Sequence, residues 1–284
     1  MIISLFRWRC ILKRNTNSKN NNYKINTIKI VPFKLILKVF YFILFFGFQI
    51  KVMASHENRV LLVIAELDAR GIPAYQKIYK GIEDIAFLIP ATFVNYGNTY
   101  REIHVLNNNN ATAENFRNKL NELVEDKNTS TIDVIMSLHG RKQGLSFVDG
   151  SYSLEELRKI LIYDNQINQT LYKNKLRLIY NLSCYGHYHS NLFLEMGFKT
   201  AIGSLAVNAN GELEYPSFIS RWSRGLSVQS SLAFAMQQAV LKLIDLPIKL
   251  LGLSQNNFLK NVNSKKIISG DSKIKIESNN IINY

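Results

Sequence analysis

The sequence predicts a three-layer α/β/α sandwich with a mostly parallel central sheet. Short runs rich in Ile, Leu and Val recur along the chain, and such runs are typical of strands buried on both faces. Segments with apolar residues at helical spacing separate the runs, and strands that alternate with helices form a parallel sheet covered by helices. The chain has 284 residues, of which 47% are hydrophobic, so it is long enough for one such domain with appendages.

The predicted elements alternate regularly from residue 59 onward. Strands are predicted at 60–65, 103–106, 132–138, 176–182 and 200–205, with a hairpin around 145–148 that turns at Asp149 and Gly150. Helices are predicted at 75–88, 112–125, from 153 onward, 189–196, 215–222 and 228–246. Thr112 is the expected cap of one helix, and Ser153 with Glu156 three residues later forms the capping box of another. Gly197 and Pro247 are expected to end two of the helices.

The two ends of the chain carry almost all of its net charge of +14. Residues 1–54 hold ten Lys and Arg and no Asp or Glu, and residues 260–284 hold five Lys against two acids. The remaining net charge is about +1, which does not favour a basic groove for nucleic acid. We therefore predict a disordered basic leader at 1–30, a globular domain at 55–259 and a polar mobile tail at 260–284.

An apolar segment at 31–54 separates the leader from the domain, and three interpretations of it stay open. Its uninterrupted apolar part, 39–50, has twelve residues, which suits the core of a signal peptide. If Lys34 and Lys38 extend toward the lipid headgroups, 31–50 forms a membrane anchor instead. If Met53 is the true start, the segment is not part of the protein. The protein is accordingly secreted, membrane-anchored or cytoplasmic.

Two reactive side chains stand at the ends of two predicted strands. One strand ends in His139 and Gly140, and the next is followed by Cys184 with Gly186 two residues later. Because the carboxyl ends of parallel strands meet at one edge of a sheet, the imidazole and the thiol are expected to face each other there. The other cysteine, Cys10, lies in the leader, so the domain contains no disulfide.

A thiol needs help to act as a nucleophile at neutral pH, because its ordinary pKa is about 8.5. A neighbouring imidazole takes the proton or holds the thiolate as an ion pair, so His139 is the candidate base and Cys184 the candidate nucleophile. Acyl transfer also needs donors for the developing oxyanion. The backbone N–H groups of Gly140 and Cys184 are the candidates for that role.

The order of these features resembles the caspase-hemoglobinase fold of clan CD cysteine endopeptidases, which includes caspases, metacaspases, legumains and CHAT domains. A strand ending in His139–Gly140 precedes a hairpin and a helix, and a later strand precedes Cys184 and Gly186. The resemblance covers about 59–246, and its specific residues lie within 132–186. It implies a cysteine endopeptidase with His139 as base, Cys184 as nucleophile, a protein or peptide substrate and no cofactor. The Gln that precedes the nucleophile in caspases is absent here.

The same resemblance implies which part of the enzyme recognises the substrate side chain before the scissile bond. Such enzymes often place a charge in the loop after the fifth strand, and Glu212 and Glu214 are expected in that loop here. These two acids predict a preference for cleavage after Lys or Arg.

Three other interpretations compete with catalysis. The domain is alternatively an inactive member of the same fold that acts as an interaction module, or an unrelated α/β domain that binds a small ligand at the sheet edge. Residues 67–71 lack a Gly-rich phosphate-binding pattern, which weakens the second of these. Cys184, His187 and His189 suggest zinc, but their spacing is awkward for joint ligation and no second cysteine joins them, so no metal is predicted. We expect both histidines on the surface of a turn, and the sequence leaves the oligomeric state open.

Overall fold

The computed structural model describes residues 58–69, 80, 83–84, 99–163, 169–208, 211–236 and 261–277. Its strands are β1 (Arg59–Glu66), β2 (Glu102–Asn107), β3 (Thr131–Arg141), β4 (Gly144–Ser146), β5 (Ser151–Ser153), β6 (Leu176–Asn181), β7 (Thr200–Ser204) and β8 (Lys266–Gly270). The central sheet has the strand order β2-β1-β3-β6-β7-β8, with a β4–β5 hairpin beside β3. The first five strands of this order are parallel, and β8 is antiparallel to β7.

Helices cover both faces of the sheet, which confirms the predicted α/β/α sandwich. The helices are α1 (Ala113–Glu125), α2 (Leu154–Arg158), α3 (Gln169–Lys175), α4 (Ser190–Met196), α5 (Gly211–Trp222) and α6 (Val228–Ala235). One face of the sheet packs on α1 to α4 through a continuous apolar core that includes Leu62, Val134 and Phe116. The opposite face meets α5, where the Tyr180 ring lies 4.5 Å from that of Phe218. All eight residues of β1 are buried, as expected for a strand covered on both sides.

The predicted helix ends are confirmed where the chain is described. The Thr112 side chain accepts a hydrogen bond from the N–H of Asn115 at the start of α1. Ser153 and Glu156 form the expected capping box at α2. Gly197 follows α4 with φ of 115°, a left-handed conformation in which a side chain would be strained. These ends follow from local hydrogen bonding, which is why the sequence alone predicts them.

Residues 261–277 correct the predicted mobile tail. β8 pairs with β7, with Ile268 opposite Ile202, and Ile274 and Ile276 are buried. The domain therefore extends well past residue 259. The sequence missed this strand because it has only five residues, two of them apolar, and it gains its stability by pairing with a strand sixty residues earlier.

Several predicted segments lie outside the described residues. They are the leader at 1–30, the apolar segment at 31–54, most of the helix predicted at 75–88, the end of the one predicted at 228–246, and residues 278–284. In the part of the chain that is described, no helix is both long enough and apolar enough to cross a membrane.

A buried ion pair sits at an irregularity between β3 and β6. Ile132 pairs with Leu176 but Asp133 pairs with Leu178, so Arg177 is an extra residue in β6. Its guanidinium donates to both carboxylate oxygens of Asp133, at 3.0 Å and 2.6 Å, and both side chains are almost fully buried. Burial lowers the pKa of Arg177, but the adjacent Asp133 outweighs that effect and the guanidinium stays charged.

Further hydrogen bonds complete this buried group. The hydroxyl of Tyr100 donates to Asp133 at 2.6 Å and accepts from the indole N–H of Trp222 at 3.1 Å. Arg177 and Arg59 both donate to the carbonyl of Ile276, which attaches the C-terminal segment to the sheet. The charges are thus paired and hydrogen-bonded, the condition under which a buried ion pair is tolerated.

Asp133→Asn tests how strongly this pair supports the fold. We expect a loss of about 3–5 kcal/mol in the free energy of unfolding, because the variant leaves a buried guanidinium without its counter-charge. Urea unfolding of the variant and the parent measures it. Arg117→Ala, which breaks the exposed pair with Glu114, is the matched control and should cost no more than about 0.5 kcal/mol. Equal losses in the two variants would contradict the prediction.

Candidate active site

The structure brings His139 and Cys184 to the same edge of the sheet. β3 and β6 are parallel neighbours, and their last paired residues are Met136 and Asn181. His139 and Cys184 each lie three residues beyond that pair; His139 lies near the carboxyl end of β3, and Cys184 follows the carboxyl end of β6. This is the edge at which open α/β sheets bind their ligands.

The backbones of the two segments touch at Gly140. A Cβ atom added to Gly140 would lie 2.2 Å from the carbonyl oxygen of Cys184 and 2.9 Å from the Cβ of Ser183. No residue with a side chain fits there without a shift of the main chain. The glycine after His139 is therefore required by the approach of the cysteine segment.

A backbone carbonyl fixes the imidazole of His139. Its Nε2 lies 2.7 Å from the carbonyl oxygen of Leu67, in the loop after β1. Because a carbonyl only accepts hydrogen bonds, Nε2 carries the proton and Nδ1 is the basic nitrogen. Burial lowers the pKa of His139, although Leu67 and the charge of Glu66 oppose that shift. The imidazole is therefore neutral and able to accept a proton at neutral pH.

Hydrogen bonds from two neighbouring strands hold the segment that carries Cys184. The N–H of Leu138 donates to the Ser183 hydroxyl at 3.3 Å, and the Ser204 hydroxyl donates to the Ser183 carbonyl at 3.1 Å. The N–H of Tyr185 donates to the carbonyl of Ala206 at 2.7 Å. These contacts fix the main chain on either side of Cys184 and so fix the position of its Cα.

The chain turns sharply after Cys184. Tyr185 has φ of 58° and ψ of 24°, the left-handed region that residues with a side chain rarely adopt. Such a conformation costs about 1 kcal/mol or more and clusters at functional sites. It leads the chain directly into a short 3₁₀ turn, Gly186–His189.

The thiol of Cys184 is protonated at rest. The residue is half-buried, and desolvation raises the pKa of its thiol. The backbone N–H of Asn208 and the charge of Lys266 act in the opposite direction without cancelling the rise. A neutral thiol must lose its proton before it can attack, so any nucleophilic chemistry at Cys184 depends on a base.

His189 is a structural residue, which corrects its expected surface position. It is completely buried; its Nε2 donates to the carbonyl of Arg141 at 2.7 Å, and its Nδ1 accepts from the amide of Asn181 at 3.1 Å. Burial lowers the pKa of His189, as this neutral tautomer requires. His187 is half-buried. Among the described residues no group of His, Cys, Asp and Glu side chains is arranged to hold a metal ion.

Glu212 and Glu214 lie in α5 and not in a loop after the fifth strand. Acidic residues favour the first turn of a helix, because the backbone N–H groups there are positively polarised. Glu214 is fully buried and its carboxylate lies 3.2 Å from the ammonium of Lys266, which is equally buried. A basic side chain of a substrate would have to compete with Lys266 for it. The side chain of Glu212 lies outside the described atoms.

Several residues of this edge were not predicted from the sequence. Asn181 accepts the N–H of Ser183 on its Oδ1 and donates to His189, and so joins the cysteine segment to the end of β3. Polar residues at the end of apolar runs, such as Asn181 and Ser204, are the only signal the sequence offers for these contacts. The sequence gives no signal for the contact with the Leu67 carbonyl, because every residue has a backbone carbonyl.

An open cavity of about 470 Å³ lies at the opposite edge of the sheet. It is lined mainly by charged and polar residues, among them Arg101, His104 and Asp126, which stand near the amino ends of the strands or the end of α1. It is not part of the edge that carries His139 and Cys184.

No protein-family model matches the chain, and no curated protein matches it in sequence.

Gly140→Ala tests the contact that joins the two segments. We expect the added methyl group to displace the Cys184 backbone, to lower the free energy of unfolding by about 1–3 kcal/mol and to change the reactivity of the thiol. Thermal unfolding and the rate of thiol alkylation measure both effects. Gly150→Ala is the control, since an added Cβ there would meet only the flexible Tyr152 side chain. An alanine at 140 that alters neither quantity would contradict the prediction.

Proposed function

We propose that the protein is a cysteine endopeptidase that cleaves peptide bonds through a thioester intermediate, with His139 as base and Cys184 as nucleophile. The contact between Gly140 and the Cys184 carbonyl supports this most strongly, because it joins the two segments at one edge of the sheet. The order and spacing of His139–Gly140 and Cys184–Gly186 add the resemblance to clan CD peptidases, which remains part of the proposal.

The reaction follows from the protonation states of the two groups. Nδ1 of His139 takes the proton from the Cys184 sulfur, and the sulfur attacks the carbonyl carbon of the substrate. Backbone N–H groups of Gly140 and Cys184 stabilise the oxyanion that forms. The imidazolium then gives its proton to the amine that leaves, and water hydrolyses the thioester with the same imidazole as base.

The hydrogen bond to Leu67 supports the basic role of His139. As the imidazole gains a proton at Nδ1 it becomes cationic, and the Leu67 carbonyl at 2.7 Å stabilises that charge. The nearby carboxylate of Glu66 acts in the same direction. Both contacts favour the imidazolium, which is the form that the transition state needs.

An inactive interaction module of the same fold is the second candidate. Burial of the Cys184 thiol, which raises its pKa, favours it, because an unassisted thiol of this kind reacts slowly at neutral pH. The two candidates differ in whether His139 activates the sulfur, and that difference can be measured directly.

His139→Ala separates the two candidates. In a Cys10→Ser background only Cys184 reacts with iodoacetamide, and the alkylation rate is followed against pH. For a peptidase we expect reaction near pH 7 in the parent and a shift of the profile to above about pH 8.5 in the variant, where the thiol ionises unassisted. His104→Gln, a change on the exposed side of β2, serves as the control. Identical profiles in parent and His139→Ala would leave the interaction module as the function.

Peptide cleavage tests the reaction itself. We expect the parent to cleave members of a fluorogenic peptide library and Cys184→Ala to lose about ten-thousand-fold or more in kcat/KM, because the nucleophile is gone. The circular dichroism spectrum of the variant should match that of the parent. Cleavage that persists in Cys184→Ala would assign the activity to other residues.

The acid limb of the activity follows from His139. Because burial lowers its pKa, His139 stays neutral to a lower pH than an ordinary histidine, whose pKa is about 6.5. Activity is retained while the imidazole is neutral and is lost as the pH falls through its lowered pKa. We expect the half-maximal value of kcat/KM on the acid side to lie below about pH 6.5. A limb clearly above that pH would contradict the assignment of His139 as base.

A further inference from the structure

A buried carboxylate holds the loop that orients His139. Oε1 of Glu83 accepts the N–H of Leu67 at 2.5 Å and the N–H of Asp68 at 3.2 Å. The Glu83 side chain is only 3% exposed, and hydrogen bonds to an ionised acceptor are about twice as strong as neutral ones. Glu66 adds a third contact, with its own carboxylate 2.7 Å from the N–H of Ala69.

A single peptide unit connects Glu83 to His139. The carbonyl of Leu67 and the N–H of Asp68 belong to the same planar group, so the direction of one fixes the direction of the other. Glu83 binds this unit at its N–H, and His139 binds it at its carbonyl oxygen. The hydrogen bonds therefore form a chain from carboxylate to peptide to imidazole, in which each bond polarises the next.

We propose that Glu83 is a positioning residue for His139, acting through the peptide unit between Leu67 and Asp68. The carboxylate keeps the Leu67 carbonyl directed at Nε2, which holds the tautomer with a basic Nδ1 directed away from the loop. The inference rests on the proposed chemistry of His139 and Cys184.

The charged groups that face Glu83 in the described residues are few. Burial raises the pKa of the Glu83 carboxyl, and the charge of Glu66 from β1 adds to that effect. The two backbone N–H groups and Lys80, on the same helical segment, oppose it. A proton on Glu83 removes the charge but leaves a carboxyl oxygen that can accept the N–H groups of Leu67 and Asp68, so we expect the geometry that holds His139 to be kept.

Glu83→Ala is the test, made in the full chain with Cys10→Ser. We expect the alkylation rate of Cys184 by iodoacetamide at pH 7 to fall by about 10-fold or more, because a small displacement of a catalytic group has a large effect on rate. The pH profile should move toward that of His139→Ala. In ¹⁵N-labelled protein, the His139 imidazole should change from the single Nε2–H tautomer to a mixture.

Two further variants separate positioning from folding. Glu83→Gln keeps an oxygen acceptor at the same place without the charge, and we expect it to retain the tautomer and to react within about 3-fold of the parent. Asp84→Asn is the matched control, because Asp84 is the adjacent residue, 63% exposed, and contacts only Lys80 among the described charges. It should leave both readouts unchanged.

The outcomes distinguish this inference from the proposed function. If His139→Ala alters the reactivity of Cys184 but Glu83→Ala leaves both the pH profile and the tautomer unchanged, Glu83 has no positioning role and the inference is overturned. The inference is also overturned if Glu83→Ala lowers the stability of the protein but changes neither the pH profile nor the tautomer. If Glu83→Ala prevents folding, Glu83→Met decides, because it removes the acceptor and keeps a side chain of similar size: a folded Met variant with the single tautomer and the pH profile of the parent overturns the inference. If His139→Ala itself has no effect, the proposed function fails first.

Discussion

The rest of the molecule depends on the irregularity between β3 and β6, at which Arg177 pairs with Asp133. Side chains alternate between the two faces of a strand, so a one-residue slip moves every later side chain to the other face. The extra residue at Arg177 makes that slip between β3 and β6. Beyond it, Ile179 joins the core under α1 to α4, while Tyr180 packs against α5. This one irregularity therefore determines the face of the sheet to which each later residue of β6, up to Asn181, directs its side chain.

The edge of the sheet that carries His139 and Cys184 is assembled from the ends of three strands, more by backbone contacts than by side-chain contacts. The loop after β1 supplies the Leu67 carbonyl to His139, the end of β3 supplies Gly140, and the segment after β6 closes against it. Asn181 and His189 connect the end of β3 to the segment after β6, because Asn181 bonds to His189 and His189 bonds to the carbonyl of Arg141. Main-chain contacts of this kind are rigid because the peptide unit is planar, and preorganised groups are what catalysis requires.

Burial shifts the pKa values of His139 and Cys184 in opposite directions, and both shifts favour the neutral form of the group. It lowers the pKa of His139 and raises that of the Cys184 thiol, so at rest both groups are neutral. A neutral pair differs from a preformed thiolate–imidazolium pair, because the nucleophile exists only when a proton moves. The Leu67 carbonyl and the charge of Glu66 oppose the lowering of the His139 pKa, so both favour the imidazolium that such a proton transfer would form.

The sequence by itself determined the layers of the fold, the order of the parallel strands along the chain, the helix caps at Thr112 and Ser153, and the pairing of His-Gly with Cys-x-Gly at strand ends. These features depend on periodicity and on contacts within a few residues. Only the tertiary structure shows that the charged residue Arg177 is buried and that Lys266, which was expected in the mobile tail, pairs with Glu214. It also shows that β8 is the last strand of the sheet. Each of these needs a partner between about 44 and 99 residues away, such as Asp133 or the Ile276 carbonyl for Arg177. Such contacts arise only when folding brings distant segments together, because no local pattern of residues encodes them.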